Sequence, residues 1–177
     1  NQSSLQKGAS TYMNYCMGCH SLQYSRYNRV AEDLGIPEDM MQGNLIFDPA
    51  VKVGSLMDNA MDKDRAKVWF GAAPPDLTLV ARARQPDWLY TYLRTFYRDD
   101  TRPYGVNNRV FENVGMPHVL LDLQGLQECA PSADGSHVEP ISGTEIAESH
   151  DACGSLKVAE EGLLSPEEFD ETIYDLV

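Results

Sequence analysis

The chain has 177 residues, of which 42% are hydrophobic and 23% charged, a length that suits one domain or a tight pair around a buried core. Lys and Arg number 14 against 27 Asp and Glu, and the net charge of −13 excludes a nucleic-acid surface and predicts that any macromolecular partner is basic. The longest apolar runs, such as Val119-Leu120-Leu121, are far shorter than the roughly 20 residues that cross a bilayer, so this stretch is expected to be soluble.

The chain starts at Asn1 with neither an initiator Met nor an apolar signal core, as expected where a targeting segment has been removed. The first periodicity predicts a helix over residues 6–15, with Leu5, Ala9, Tyr12, Met13 and Cys16 recurring at three-to-four spacing. This helix delivers Cys16-Met17-Gly18-Cys19-His20, a C-x-x-C-H run of the kind that attaches c-type haem. The chemistry needs that spacing. Two thiols one helical turn apart can add to the two vinyl groups of one porphyrin, and the adjacent His20 places an imidazole under the iron. A thioredoxin-like redox pair is the first alternative, but it wants a strand-to-helix context within a βαβ pattern, which is missing here. A zinc site is the second, and it needs two more ligands at short spacing.

Further along, Ala73-Pro74-Pro75-Asp76-Leu77 is a rigid turn that cannot be helix interior, and it runs into Thr78-Leu79-Val80-Ala81-Arg82-Ala83-Arg84. Pro75 thereby becomes a pocket candidate. Arg82 and Arg84 are candidates to hold a haem propionate by a charge-assisted pair, against the alternative of plain surface exposure. Pro86 and Asp87 then open a predicted helix over residues 86–97, with Trp88, Leu89, Tyr92, Leu93 and Phe96 as its apolar face.

Seven methionines compete for the sixth position on the iron. Met13 and Met17 lie on the attachment helix, and Met40, Met41, Met57 and Met61 fall where methionine is usually core filler. Met116 sits in Val114-Gly115-Met116-Pro117, a stiff non-helical segment able to hold a thioether against the distal face. His118, two positions on, is its strongest rival. His137 and His150 fall in an acidic low-complexity loop and read as solvent-exposed.

Charge is unevenly spread. Residues 1–84 balance to zero, so residues 85–177 carry the whole excess, and from Phe111 onward Lys157 alone faces fifteen carboxylates. This is either a solvated surface or a docking field. Covalent haem in an acidic chain points to an exported, oxidising compartment, where Cys129 and Cys153 are free to pair. A bridge there closes 23 residues rich in Ser, Gly, Pro and acid; two separate buried thiols are the alternative. Ser165-Pro166-Glu167-Glu168 starts a last helix, with Ser as N-cap, Pro at the first helical position and Glu at N3. Phe169, Ile173, Leu176 and Val177 line one side of it, and no stop signal follows, so a continuation past Val177 is expected.

Taken together, Cys16 to Ser21 with Tyr24 and Tyr27, the 73–77 block running into Arg82-Ala83-Arg84, and Gly115-Met116-Pro117 resemble the cytochrome c1 family in its bacterial form. The resemblance covers residues 5–125 and the closing helix. It implies a mainly α, cytochrome c-like fold around one covalently bound haem c, with long loops. Cys16 and Cys19 would be the thioether attachments, His20 and Met116 the axial ligands, and Arg84 the propionate partner. It further implies a single domain over residues 1–177, placed on the periplasmic side of a bacterial inner membrane and anchored by a transmembrane helix beyond Val177. The implied partners are cytochrome b and the Rieske iron–sulfur protein of a bc1 complex, with a soluble cytochrome c as electron acceptor. Residues 128–154 fall outside the matched parts and read as a disulfide-closed surface insertion. A diffusible periplasmic c-type cytochrome, or the haem domain of a periplasmic dehydrogenase, is the competing expectation. Electron transfer needs no acid/base residues, and no convincing nucleophile constellation is present.

Overall fold

The computed structural model describes residues 1–130 and 153–177. They form two compact units, one of Asn1–Tyr90 with Glu167–Val177 and one of Thr91–Pro166. Within the described residues the order is α1 (Gln2–Tyr15), β1 (Leu22–Arg26), α2 (Tyr27–Leu34), α3 (Glu38–Asn44), β2 (Leu56–Met57), α4 (Lys63–Phe70), α5 (Val80–Arg84), α6 (Pro86–Arg94), β3 (Phe96–Arg98), β4 (Val106–Asn108), α7 (Leu121–Gln124), β5 (Gly125–Ala130), β6 (Ser155–Glu161) and α8 (Pro166–Leu176).

The first unit is built on α1, which starts four residues before the expected boundary because the Asn1 side chain accepts from the Ser3 amide as N-cap. Its apolar face buries Met13, and Met17 follows it into a core shared with Tyr27, Ala31, Met41, Ile46 and Met57. Four of those seven residues are methionines, flexible enough to fill the irregular space left by short helices. The filler reading of Met41 and Met57 therefore holds; Met40 is exposed. Helix α2 stops at Gly35, which takes the left-handed conformation that ends a helix at little steric cost.

Helix α8 starts at Pro166 and buries Phe169 and Ile173, as its apolar spacing predicts. It lies against α1 at Gly8, where an added Cβ would run into the backbone carbonyl of Asp175. Ser4 donates to the Asp175 carboxylate, and Lys7 pairs with Glu171 at 3.3 Å. Gly8→Val is therefore expected to destabilise the first unit by a few kcal/mol, since the obstacle is backbone and cannot rotate away. A denaturant midpoint for Gly8→Val equal to that of the unsubstituted chain would show that the two helices separate freely.

The second unit is arranged around two antiparallel ribbons. Phe96, Tyr97 and Arg98 of β3 pair with Asn108, Asn107 and Val106 of β4. The helix expected over residues 86–97 accordingly ends at Arg94. The run Thr95-Phe96-Tyr97 is β-branched and aromatic and finds a strand partner, and the Tyr92 carbonyl takes up the Asn108 side-chain amide at 2.7 Å. The apolar cluster of this unit is Phe96, Val106 and Val114, with Tyr92, Met116 and Leu126 packed on it.

In the other ribbon β5 pairs with β6 from Gly125↔Glu161 to Ala130↔Ser155. The Cys129–Cys153 disulfide bridges its open end, with 5.0 Å between the α-carbons. A bridge closing a loop of this length stabilises by about 3 kcal/mol through the unfolded chain. Residues 131–152, with His137 and His150, lie outside the described residues. Arg98 ties the ribbons together, pairing with Glu128 at 2.9 Å and with Glu160. The mainly α architecture with long connections holds. The ribbons are what the periodicity did not announce, because β3 and β4 are only three residues long and β6 is exposed along most of its length.

Candidate haem site

The attachment run folds as one continuous turn at the end of α1. Both the Cys19 and the His20 amides donate to the Cys16 carbonyl, at 3.0 and 2.9 Å. The Tyr12 hydroxyl closes the same turn by donating to the His20 carbonyl, and Asn59 Nδ2 donates to the Met17 carbonyl at 3.1 Å. Cys16 and Cys19 are both free thiols and half-buried. Burial pushes the Cys16 pKa up to about 11, with the neighbouring Cys19 adding to it, so the thiol is protonated at neutral pH. Burial likewise raises the Tyr12 phenol.

The proline block lies beside this turn because it is hydrogen-bonded there. Leu77 N donates to the Ser21 carbonyl at 2.9 Å, and the Asp76 carboxylate accepts from the amides of Gln23 at 2.7 Å and Thr78 at 3.0 Å. Partial burial disfavours the Asp76 charge, yet these donors hold its pKa below the usual carboxylate range. The Pro75 carbonyl comes to 2.8 Å from His20 Nδ1. A carbonyl only accepts, so Nδ1 carries the proton and Nε2 keeps its lone pair for a metal. Between the turn and the block lies a cleft of about 300 Å³, lined by Cys19, Ser21, Asp58, Met61, Lys63 and Pro75 among others.

In the second unit Met116 is half-buried, and its sulfur accepts from the Tyr92 hydroxyl at 3.4 Å. The loop that carries it is pinned three residues upstream. Arg102 donates to the side chain and the carbonyl of Asn113, at 3.0 and 2.9 Å, while Asn107 Oδ1 accepts from the Asn113 amide at 2.9 Å. Asn113 itself adopts a left-handed backbone, φ 60°, a conformation asparagine tolerates better than most residues. Asn107 is in turn fixed by donating to Asp99 at 3.0 Å.

The Asp99 carboxylate also accepts from the Thr101 hydroxyl and amide, and these bonds hold its pKa below the usual range against a smaller opposing effect of burial. A lowered folded-state pKa gives a contribution present above the unfolded value near 4 and lost as pH falls through the folded one. Asp99→Asn is expected to weaken the second unit at pH 6 and to flatten its loss of stability between about pH 5 and pH 2. Urea midpoints across that range check this, and parallel curves for the two chains would refute it.

His118, the rival ligand, is buried with its ring stacked flat on Phe96, centroids 4.8 Å apart. Burial pushes its pKa down to about 4, against an opposing pull from the Gln124 side chain. Among the described residues its Nε2 has no hydrogen-bond partner. Arg82 and Arg84 are both exposed on α5, and the Arg84 guanidinium stands 5.0 Å over the Trp88 ring. Sequence reasoning missed the residues that contact Met116 and pin its loop: Tyr92, Asn107, Asp99 and Arg102. The pair Asn107-Asn108 was the available signal: both are buried, and buried asparagines must be hydrogen-bonded.

The chain matches the cytochrome c1 family over residues 1–128. It is 55% identical over 177 residues to the cytochrome c1 of Allochromatium vinosum, an alignment covering 99% of this chain and 67% of that protein. The chain belongs to the cytochrome c1 family. The cytochrome c1 of Rhodospirillum rubrum is 28% identical over 116 residues, 55% of this chain and 42% of that one. A Nitrosomonas europaea protein named ammonia monooxygenase gamma subunit is 47% identical over 148 residues, 84% of this chain and 62% of that one. The chain thus spans about two thirds of the length of the Allochromatium relative and less of the other two. The family's function is electron transfer as the cytochrome c1 of the bc1 complex, and its cofactor is a covalent c-type haem, which the Cys16–His20 run matches. Among the described residues no helix is long and apolar enough to cross a membrane.

Proposed function

We propose that this chain carries one haem c, bound through thioethers at Cys16 and Cys19, with His20 and Met116 as axial ligands, and that it relays single electrons from a Rieske iron–sulfur protein to a soluble cytochrome c. The observation that carries the reading is the His20 imidazole, oriented by the Pro75 carbonyl at 2.8 Å directly after two free thiols on one turn. That backbone bond fixes the tautomer and the plane of the ring and leaves the Nε2 lone pair for the iron. The residues present fit the group: two unpaired sulfurs, an imidazole with a free lone pair, and a half-buried thioether on a pinned loop. When bound, the group supplies an iron that cycles between two oxidation states, and His/Met ligation raises its potential as a late carrier requires.

The remaining residues set access and partner. Arg84 and Arg82, exposed and cationic, are available to a propionate, and Pro75 borders the cleft beside the attachment turn. The carboxylates Glu160, Glu161, Glu167 and Glu168 are exposed in the acidic later part of the chain and favour a basic, transient electron acceptor. The reading places the chain on the periplasmic side of a bacterial inner membrane, beside cytochrome b, with the membrane anchor that the family resemblance implies. Rapid mixing of the reduced native protein with a basic soluble cytochrome c tests the acceptor half. Electron transfer that is fast at low salt and slows steeply with ionic strength is expected. A rate independent of salt would remove the acidic surface from the encounter.

A further inference from the structure

We propose that Tyr92 is a positioning residue for the sixth ligand. Its hydroxyl occupies one lone pair of the Met116 sulfur, thereby directing the other and raising the reduction potential of the site. This role rests on Met116 being the sixth ligand and goes beyond it by naming a residue that would act on the metal only through that ligand.

The geometry is local to the second unit. Tyr92 Oη lies 3.4 Å from Met116 Sδ, and the tyrosine is held on three sides. Its ring meets Phe96 edge-on at 5.2 Å and Phe111 at 6.4 Å, and its carbonyl accepts from the buried Asn108 side chain at 2.7 Å. The sulfur is held as well, through the Arg102, Asn107 and Asn113 contacts upstream and by Pro117 directly after it. Two elements fixed independently thus meet at one hydrogen bond.

A thioether sulfur has two lone pairs. With one engaged by a phenol proton, a single pair is left to bind a metal, which selects one configuration at sulfur. The hydrogen bond also draws electron density from the sulfur, and the loss of donation costs the ferric state more than the ferrous, so the potential rises. In the sequence Tyr92 looks like one more apolar residue on the face of a helix, and only the contact with Met116 separates it from Leu89 and Leu93.

Tyr92→Phe in the haem-loaded native protein is the test, since it removes one oxygen and keeps both ring contacts. The expected result is a lower midpoint potential, read as about a two- to tenfold change in the electron-exchange equilibrium with a fixed mediator, the worth of one neutral hydrogen bond. The thioether-to-ferric absorption band should move but persist. An unchanged potential and an unchanged band overturn the proposal. Met116→Leu, measured in parallel, separates the two claims: if its band survives, the ligand assignment fails and the Tyr92 role with it. If Met116→Leu loses the band while Tyr92→Phe changes nothing, only the Tyr92 role fails. Should Tyr92→Phe not accumulate, proton NMR of the reduced unsubstituted protein decides. A slowly exchanging hydroxyl proton close to the Met116 methyl supports the contact, and a freely exchanging Tyr92 hydroxyl refutes it.

Discussion

A Cys16→Ser, Cys19→Ser chain is expected to leave export with no covalently held haem at all. On a denaturing gel the unsubstituted protein keeps its haem-dependent peroxidase stain and the double variant shows none. The effect is all-or-none because each thiol gives one sulfur–carbon bond and a hydroxyl gives neither. Either single variant retains one bond and a weaker stain. The fold argues for the same outcome from another side. The turn that presents both sulfurs is closed by backbone bonds from Cys19 and His20 to Cys16, none of which uses a thiol, so serine leaves the presentation intact. Loss of stain then reports chemistry rather than misfolding, and circular dichroism of the variant should match that of the parent stripped of haem. Persistent stain in the double variant would remove the C-x-x-C-H run from its assigned role.

Met116→Leu is expected to abolish the thioether-to-ferric charge-transfer band and to lower the midpoint potential by a sizeable part of the roughly 0.8 V that axial ligands span. Leucine is close in volume and Met116 is only half-buried, so packing against Phe96, Val106 and Val114 should change little. The loop stays in place because its anchors are Asn113, Asn107 and Arg102. His118 is the alternative ligand, and its ring is engaged on the face of Phe96. If the band survives Met116→Leu, another methionine is bound. If no band is present in the unsubstituted protein and His118→Gln turns the low-spin spectrum high-spin, His118 is the ligand instead.

Much of the attachment half of the site was legible in the chain before any coordinates. C-x-x-C-H is read in a few consecutive residues, and its local turn is dictated by those residues alone, so spacing suffices. The proline block was legible as rigid but not as adjacent to His20. Its placement depends on Asp76 capturing the Gln23 amide 53 positions away, and nothing in a periodicity encodes that. The end of α6 was misplaced for the same reason. Phe96 sits in phase with the apolar face of the helix, yet the strand partner at Asn108 is a non-local choice that outweighs local phase. The disulfide was read from compartment and loop composition, and it closes a ribbon whose strands no pattern announced, since β6 is exposed along most of its length. In the second unit the sequence singled out Met116 but none of the side chains around it. Tyr92, Asn107 and Arg102 act through side-chain contacts that become visible once the loop and the helix are placed together within the second unit.

The most direct measurement is purification of the full-length native protein from detergent-solubilised membranes, followed by identifying its companions and adding a quinol. Co-elution with a b-type cytochrome and a Rieske protein, with the c-type haem becoming reduced on quinol addition, is the predicted result. Recovery of the protein alone in the periplasmic fraction, with its haem untouched by quinol, would contradict the bc1 role and identify a diffusible carrier instead.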